Sequence, residues 1–268
     1  MTGSKHAEIL QGHVKRIVSF DCREFSHDPH YFKFFADGCP GIMFQDGQNP
    51  MFVNSTHKLA TVVLYGQTVL PMELSTIGSY RVIVVMLQPD ALEYLFGIPA
   101  NHMTDNCFDI NLLHVGKIFS LPDRMLTAKS ETERVQIMEE FIVKLILEKK
   151  SQPSSEIRRA ISLIHETNGN KKIIDIAREL RISERTLMRQ FEQRVGVAPK
   201  VYSSIWKFQS AVERLQQGNF DSLSGLAYEL GYADQSHFNR WFKMFTGETP
   251  LEHLNNVSAL NSAALARA

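Results

Sequence analysis

The sequence predicts an α+β, multidomain protein in which an N-terminal β-barrel and a linker helix precede an all-α C-terminal domain with two helix-turn-helix units. Three observations predict it: short strand-like runs before residue 90, helical periodicity after it, and an internal repeat near the C-terminus. The 268 residues, 44% of them hydrophobic, are enough for two cores. We place the barrel at residues 1–128, a long helix and linker at 129–153, and the helical domain at 154–268.

The first 90 residues alternate short apolar runs with turn residues. β-Branched and aromatic residues fill runs such as VKRIVSF (14–20), TVLPMEL (68–74) and YRVIVVML (80–87), and Asp-Gly pairs separate others. This pattern is typical of a small β-barrel or sandwich. Short helices are expected at DALEYLFG and DINLLHVGKIF.

A long helix is predicted from residue 131 to about residue 150. Val135, Met138, Ile142 and Leu145 follow a 3, 4, 3 spacing, which places them on one face. An apolar face of this kind must be covered. Packing on the chain's own barrel and dimerisation with a second copy both satisfy that requirement.

Composition indicates a cytoplasmic protein. The longest apolar run, VIVVML (82–87), is far shorter than the roughly 18 residues of a membrane helix, so no membrane partner is expected. The N-terminus lacks the pattern of a signal peptide. Three widely spaced cysteines, Cys22, Cys39 and Cys107, fit a reducing compartment better than a disulfide framework.

The net charge is zero but unevenly distributed. Residues 151–268 contain 15 Lys and Arg against 12 Asp and Glu, a balance of +3, which leaves 14 against 17, or −3, for residues 1–150. The sign fits a C-terminal half that binds nucleic acid, although the excess is small.

The C-terminal half contains an internal repeat. DIAREL-RIS-ERTLMRQFEQRVGVAP from residue 175 aligns with GLAYEL-GYAD-QSHFNRWFKMFTGETP from residue 225, at an offset of 50 before the turn and 51 after it. Each copy reads as a short helix, a turn and a second helix that ends at glycine, the outline of a helix-turn-helix. Predicted helices cover residues 156–167, 173–180, 184–195, 200–216, 223–230, 235–246 and a last segment from 250.

The second helix of each copy has a face of long polar side chains. It comprises Arg185, Met188 and Arg189 in the first copy, and Gln235, Ser236, Asn239 and Arg240 in the second. Arginine pairs with guanine, and Asn or Gln with adenine, in the DNA major groove. The helix between the copies, about 25 Å long, could hold two such helices about 34 Å apart, one turn of DNA.

ISERTLMRQFEQRVGVAPKVY and LAYELGYADQSHFNRWFKMFTGETP resemble the DNA-binding domain of the AraC/XylS family of bacterial transcription regulators, over residues 155–254. The resemblance implies a transcription factor that binds double-stranded promoter DNA through both units. By position it implies base reading by Arg185, Met188 and Arg189, and a contact region of Gln235, Ser236, His237, Asn239 and Arg240. Met188 replaces a polar residue common there, which favours contact with a thymine methyl group, and His237 either reads bases or stabilises the turn.

DGCPGIMF, VVMLQPDALEYLFGIP and TDNCFDINLL resemble the cupin-like sensor domains that precede AraC-type units. This resemblance implies a regulatory barrel that binds a small-molecule effector or mediates formation of a homodimer. RNA polymerase is a further candidate partner. The sequence names neither the operator nor the effector, nor does it say whether the protein activates or represses.

Catalytic and metal-binding motifs are missing from the sequence. It has no GxSxG, Walker loop or GxGxxG, so we expect no enzyme and no cofactor. His27 and His30 form HDPH in a turn made by Pro29, which does not predict a metal site. The alternative hypothesis is a cupin-type small-molecule-binding protein or enzyme with a helical docking tail.

Overall fold

The computed structural model describes residues 2–22 and 28–255, which form an N-terminal β-sheet domain and a C-terminal helical domain. The strands are β1 (Val14–Cys22), β2 (Pro29–Phe34), β3 (Gly41–Gly47), β4 (Phe52–Val53), β5 (His57–Lys58), β6 (Val62–Tyr65), β7 (Met72–Ile77), β8 (Tyr80–Leu87) and β9 (Cys107–Asp109). The helices of this domain are α1 (Thr2–Gln11), α2 (Ala91–Phe96), α3 (His114–Phe119), α4 (Leu121–Thr127) and α5 (Glu131–Leu147).

The described strands form two antiparallel sheets rather than the closed barrel that we expected. The first has the order β1-β8-β3-β6-β9 and the second the order β2-β7-β4-β5. Within the described ranges no backbone hydrogen bonds between strands join the two sheets. β7 and β8 follow each other in the chain, but each pairs on both edges with strands of its own sheet. The two sheets instead pack face to face through an apolar cluster that includes Met43, Val84 and Leu74.

The run VIVVML in β8 is apolar throughout because both faces of the first sheet are covered. Val82, Val84 and Met86 face the second sheet. Ile83, Val85 and Leu87 face the helices of the domain. The first sheet is therefore the middle layer between the second sheet and a helical layer, and a strand buried on both faces loses the usual alternation.

The apolar stripe of α5 covers the helical side of that sheet. Met138 and Ile142 are fully buried, Leu145 is 4% exposed, and Val135 is partly buried. Met138, Ile142 and Leu145 belong to the same core cluster as the first sheet. Of the two coverings considered for this face, the chain's own sheet buries Met138, Ile142 and Leu145, which leaves little of the stripe exposed for dimerisation through Val135, Met138, Ile142 and Leu145.

Placing charge on this stripe tests that packing. Met138→Glu with Ile142→Glu should lower the free energy of unfolding by more than about 4 kcal/mol, since two carboxylates would be buried without partners. Leu147→Glu on the same helix is the control, because Leu147 is 69% exposed and its change should stay within about 0.5 kcal/mol. Urea unfolding followed by circular dichroism measures both. A double variant that stays folded and only changes oligomeric state would contradict the packing.

The helical domain follows the predicted pattern closely. Its helices are α6 (Ser155–Glu166), α7 (Ile173–Glu179), α8 (Glu184–Val195), α9 (Pro199–Gln217), α10 (Leu223–Glu229) and α11 (Gln235–Thr246). Residues 250–255 are also helical and end the described part of the chain. Each predicted helix from α6 to α11 is confirmed with ends that differ by at most one residue.

Other expectations concern membranes, cysteines and metals. None of the helices described is long and apolar enough to cross a membrane. Cys39 is buried, Cys22 and Cys107 are partly buried, and none of the three forms a disulfide. The described residues contain no cluster of His, Cys, Asp and Glu able to hold a metal ion. His27 of the HDPH stretch lies outside the described residues, and the ring of His30 packs edge-on against Tyr80.

Candidate nucleic-acid interface

Each helix-turn-helix unit has an equivalent backbone hydrogen bond across its turn. Ile182 N donates to Ala177 O at 3.1 Å, and Tyr232 N donates to Ala227 O at 3.0 Å. Both alanines are buried, with 2% and 0% of their surface exposed. Their small side chains let the two helices of each unit cross closely. The repeat in the sequence is therefore a repeat of the structure.

The turns also share a left-handed residue. Arg181 has φ of 56° and Gly231 has φ of 75° at equivalent positions. Glycine adopts this conformation without strain, whereas the first unit holds an arginine in it. The sequence prediction identified only Gly231, because nothing in the residue type of Arg181 signals a left-handed turn.

Side-chain caps begin the second helix of each unit. Ser183 Oγ accepts a hydrogen bond from Thr186 N at 3.1 Å, and Asp234 Oδ1 accepts one from His237 N at 2.7 Å. The predicted caps are confirmed, and each is of a kind that contributes about 1 kcal/mol to helix stability. Left-handed Gly196 and Gly247 end α8 and α11.

Most of the predicted reading residues lie on exposed faces of α8 and α11. Leu187 and Phe191 of α8, and Phe238 and Phe242 of α11, are fully buried, which turns the opposite faces outward. The exposed residues are Arg185, Met188, Arg189, Gln235, Ser236 and Arg240. Met188 is 41% exposed, so an apolar side chain lies among the polar ones on α8.

The exposed arginines of these helices have no acidic partner. Elsewhere in the described part of the helical domain, arginines form ion pairs, as Arg178 does with Asp175 and Arg214 with Glu229. Arg185, Arg189 and Arg240 have none among the described residues, and neither does Arg181 in the first turn. Unneutralised guanidinium groups are therefore concentrated on the two second helices and the adjacent turn. Sequence analysis missed Arg181, whose position in the turn was the available signal.

His237 and Asn239 are less available than the other predicted residues. The indole Nε1 of Trp241 donates to Nε2 of His237 at 2.9 Å, and the His237 ring packs edge-on against Tyr232. Asn239 is partly buried, and its Oδ1 is buried without a hydrogen-bond partner among the described residues. Of the two roles considered for His237, these contacts favour support of the turn over base reading.

Comparison with known proteins agrees with this geometry. Residues 176–256 match a family described as a helix-turn-helix domain, and residues 6–109 match a domain of unknown function, DUF6597. The transcriptional activator RhaS of Pectobacterium atrosepticum is 32% identical over 75 residues, which are 28% of this chain and 26% of RhaS. This chain thus matches about a quarter of the length of that relative.

Two solved structures are also similar. A regulator from Chromobacterium violaceum, described by its AraC-type DNA-binding domain, is 26% identical with a TM-score of 0.35, and the match covers 37% of this chain and 89% of that one. Residues 176–256 of this chain form a helix-turn-helix domain of the family that they match. ToxT from Vibrio cholerae is 16% identical with a TM-score of 0.48, covering 89% of this chain and 96% of ToxT.

The N-terminal domain contacts the C-terminal end of α8, the second helix of the first helix-turn-helix unit. Thr104 Oγ1 donates to Gly196 O at 2.6 Å, and Arg194 lies 3.5 Å from the carboxylate of Glu93. A Cβ on Gly196 would lie 3.1 Å from Ala100 O, so the backbones approach closely there. One helix therefore presents arginines to solvent on one face and contacts the sheet domain at its C-terminal end.

The helix α9 is a second point of contact between the domains. Ala36 of the N-terminal domain belongs to the core of the second helix-turn-helix unit, and the Gln209 side chain donates to Ala36 O. Arg158 of α6 donates to Asp90 at 2.8 Å and to Gly12 O at 2.9 Å. The helical domain thus contacts the sheet domain through α6, α8 and α9.

A carboxyl group lies at this domain contact. Burial raises the pKa of Asp37 to about 6, while a hydrogen bond from Cys39 N and the ammonium group of Lys15 oppose the rise in this pKa. The pKa is raised in the folded state, so the contribution of this group to stability is complete below about pH 3.8 and is lost as pH rises through about 6.

Asp37→Asn should therefore stabilise the protein only at higher pH. At pH 8 the variant should gain about 1 to 2 kcal/mol over the wild type, because the amide removes a buried charge but still accepts the Cys39 hydrogen bond. At pH 4 the difference should be close to zero. Urea unfolding of both proteins at the two pH values measures it, and a gain of equal size at both would contradict the burial of an ionised Asp37.

Proposed function

We propose that this protein is a transcription regulator that binds promoter DNA by placing α8 and α11 in two adjacent major grooves. One observation carries the proposal: within the described helical domain, the arginines without acidic partners lie on the second helices of the two units and the turn before α8. Such guanidinium groups can bind the phosphates and the guanine edges of DNA in place of a carboxylate.

The residues suggest distinct roles in DNA binding. Arg185, Arg189 and Arg240 suit bidentate contact with guanine, and Gln235 suits adenine. The exposed Met188 has no hydrogen-bond donor and suits the methyl group of thymine. The hydroxyl of Ser236 can bond a base edge or a phosphate, whereas His237 supports the helix through Trp241 and Tyr232.

The length of α9 fits the spacing of two grooves. Its 19 residues extend about 28 Å at 1.5 Å per residue. The units at its two ends add to that distance, and successive major grooves on one face of DNA lie about 34 Å apart. One chain can thus contact both grooves without a partner copy.

Removing one arginine from each unit tests the proposal. Arg189→Ala with Arg240→Ala should weaken binding to the protein's own site by about 1 to 3 kcal/mol for each lost base contact and relax base preference at both positions. Arg124→Ala is the matched control, because Arg124 is a partly exposed arginine of the N-terminal domain paired with Glu140. Gel-shift titration measures affinity, and unchanged affinity and base preference in the double variant would refute base reading.

The DNA sequence that the protein binds should be identified by selection from random duplex DNA with the full chain. The full chain is needed because the N-terminal domain buries surface of α8 and α9, and Ala36 completes the core of the second unit. An enriched sequence with two blocks one helical turn apart is the expected result. Enrichment of a single block would mean that only one unit reads DNA.

For residues 1–128 we infer a regulatory role, with 129–153 connecting them to the DNA-binding domain at 154–268. The two facing sheets suit an opened form of a cupin-like sensor domain. Between them lies an apolar cavity of about 50 Å³, lined by residues such as Phe34, Met43 and Cys107. Ligand cavities usually have about 300 to 1,000 Å³, so an apolar effector would have to move the sheets apart. That movement would reach α8 through Thr104 and Glu93.

Other partners follow from the proposed role. A regulator of bacterial promoters would act in the cytoplasm and would contact RNA polymerase if it activates transcription. The relatives described above are regulators rather than enzymes. A homodimer, if one forms, would use a surface other than the buried α5 stripe.

A further inference from the structure

Three segments of the helical domain meet between the two helix-turn-helix units. They are the loop between α6 and α7, the N-terminal half of α9, and the turn between α10 and α11. We call their contact residues the inter-unit joint: Gly169, Asn170, Ser203, Lys207 and Gly231. Each segment comes from a different part of the domain, so the joint connects the first unit, the connecting helix and the second unit.

Gly169 packs directly on the backbone of α9. Its φ is +72°, and a Cβ at this position would lie 2.5 Å from Ser203 O and 3.1 Å from Cγ of Lys207. Ser203 is buried, and its hydroxyl donates to Pro199 O within the helix at 2.9 Å. The loop of the first unit therefore lies closer to α9 than any residue with a side chain could.

Lys207 joins α9 to the second unit. Its Nζ donates to Gly231 O at 3.1 Å and lies 5.6 Å from the centre of the Tyr232 ring. Burial lowers the pKa of Lys207. One lysine thus contacts the first unit through its stem near Gly169 and the second unit through its ammonium group.

The two units also touch each other without α9 between them. A Cβ on Gly231, which has φ of +75°, would overlap Oδ1 of Asn170. The turn that precedes α11 is therefore packed against the loop that precedes α7. Rotation of one unit about the axis of α9 would break this contact and the Lys207 hydrogen bond together.

We propose that the inter-unit joint fixes the distance and rotation between α8 and α11, and so restricts the protein to one spacing between the two halves of its DNA site. The inference rests on the proposed function. Each inserted base pair moves the second half-site by about 3.4 Å and rotates it by about 35° around the duplex. A rigid pair of units cannot follow that displacement, whereas units able to turn about the axis of α9 could.

The experiment uses the full chain and its selected two-block site. Versions of the site carry one or two base pairs added or removed between the blocks. Wild-type protein should lose affinity by about tenfold or more for a change of one base pair, which is the size of a typical single mismatch. The ratio of affinities between spacings is the readout, because general loss of stability or of phosphate contacts would lower all of them alike.

Gly169→Ala should flatten this ratio to about threefold or less, since its methyl group separates the first unit from α9. The matched control is Gly218→Ala at the end of α9. Gly218 has φ of +65°, and its Cβ would meet nothing within 4 Å, so this variant has similar backbone strain with the joint intact. It should keep the wild-type ratio.

Lys207→Met tests the joint without a steric clash. It keeps the stem against Gly169 and loses the hydrogen bond to Gly231, so the ratio should fall; Lys207→Arg keeps a donor and should restore it. Lys207→Met decides the question if Gly169→Ala does not fold. Folded joint variants with the wild-type ratio would overturn the inference. Failure of the wild type to select any two-block site would instead refute the proposed function.

Discussion

The burial of α9 is the constraint on which the helical half of the protein depends. Tyr202 on this helix is fully enclosed in the core of the first helix-turn-helix unit, and Phe208 in that of the second. Gln209 reaches the backbone of the N-terminal domain. One helix therefore belongs to both units and to the domain contact. Both units are too small to bury a core alone, and sharing α9 gives each of them aromatic groups of about 150 to 250 Å² to cover.

The distribution of ion pairs leaves positive charge exposed on a chain of zero net charge. Acidic residues in the helical domain neutralise arginines on α6, α7 and α9, as Glu179 does for Arg159. The exposed arginines on α8 and α11 are left without such partners among the described residues. The local field near the second helices is then positive even though the total is balanced. Net charge alone was a poor guide, because which arginines are neutralised depends on which acids lie beside them.

The N-terminal domain has its own dominant constraint in the first sheet, both faces of which are buried. One face is covered by the second sheet and the other by helices that include α5. The same domain contacts the C-terminal end of α8 at Gly196 and α9 at Ala36. A change in how the two sheets pack would therefore alter the position of α8, which carries exposed arginines on its other face.

Local sequence determined much of the helical half. Helix ends follow from caps such as Ser183 and Asp234 and from glycines such as Gly196 and Gly247, all of which act within a few residues. The repeat, the buried alanines and the outward faces of α8 and α11 were readable for the same reason. The resemblance to AraC-type domains then suggested that the outward faces of α8 and α11 contact DNA. Most strands of the N-terminal domain were also predictable. The run TVLPMEL (68–74) is an exception in its bounds, because β7 begins only after Pro71, at Met72.

The tertiary structure decided what lies against each face. The sequence did not predict α1 or α4, and it could not tell a barrel from a sandwich or choose the occupant of the α5 stripe. It also gave no sign that Gly169 meets the backbone of α9, or that Arg189 lacks an acidic partner. Periodicity and caps are local, whereas the partner of a buried face or of a charge comes from residues distant in the chain. Those partners exist only after the chain has folded.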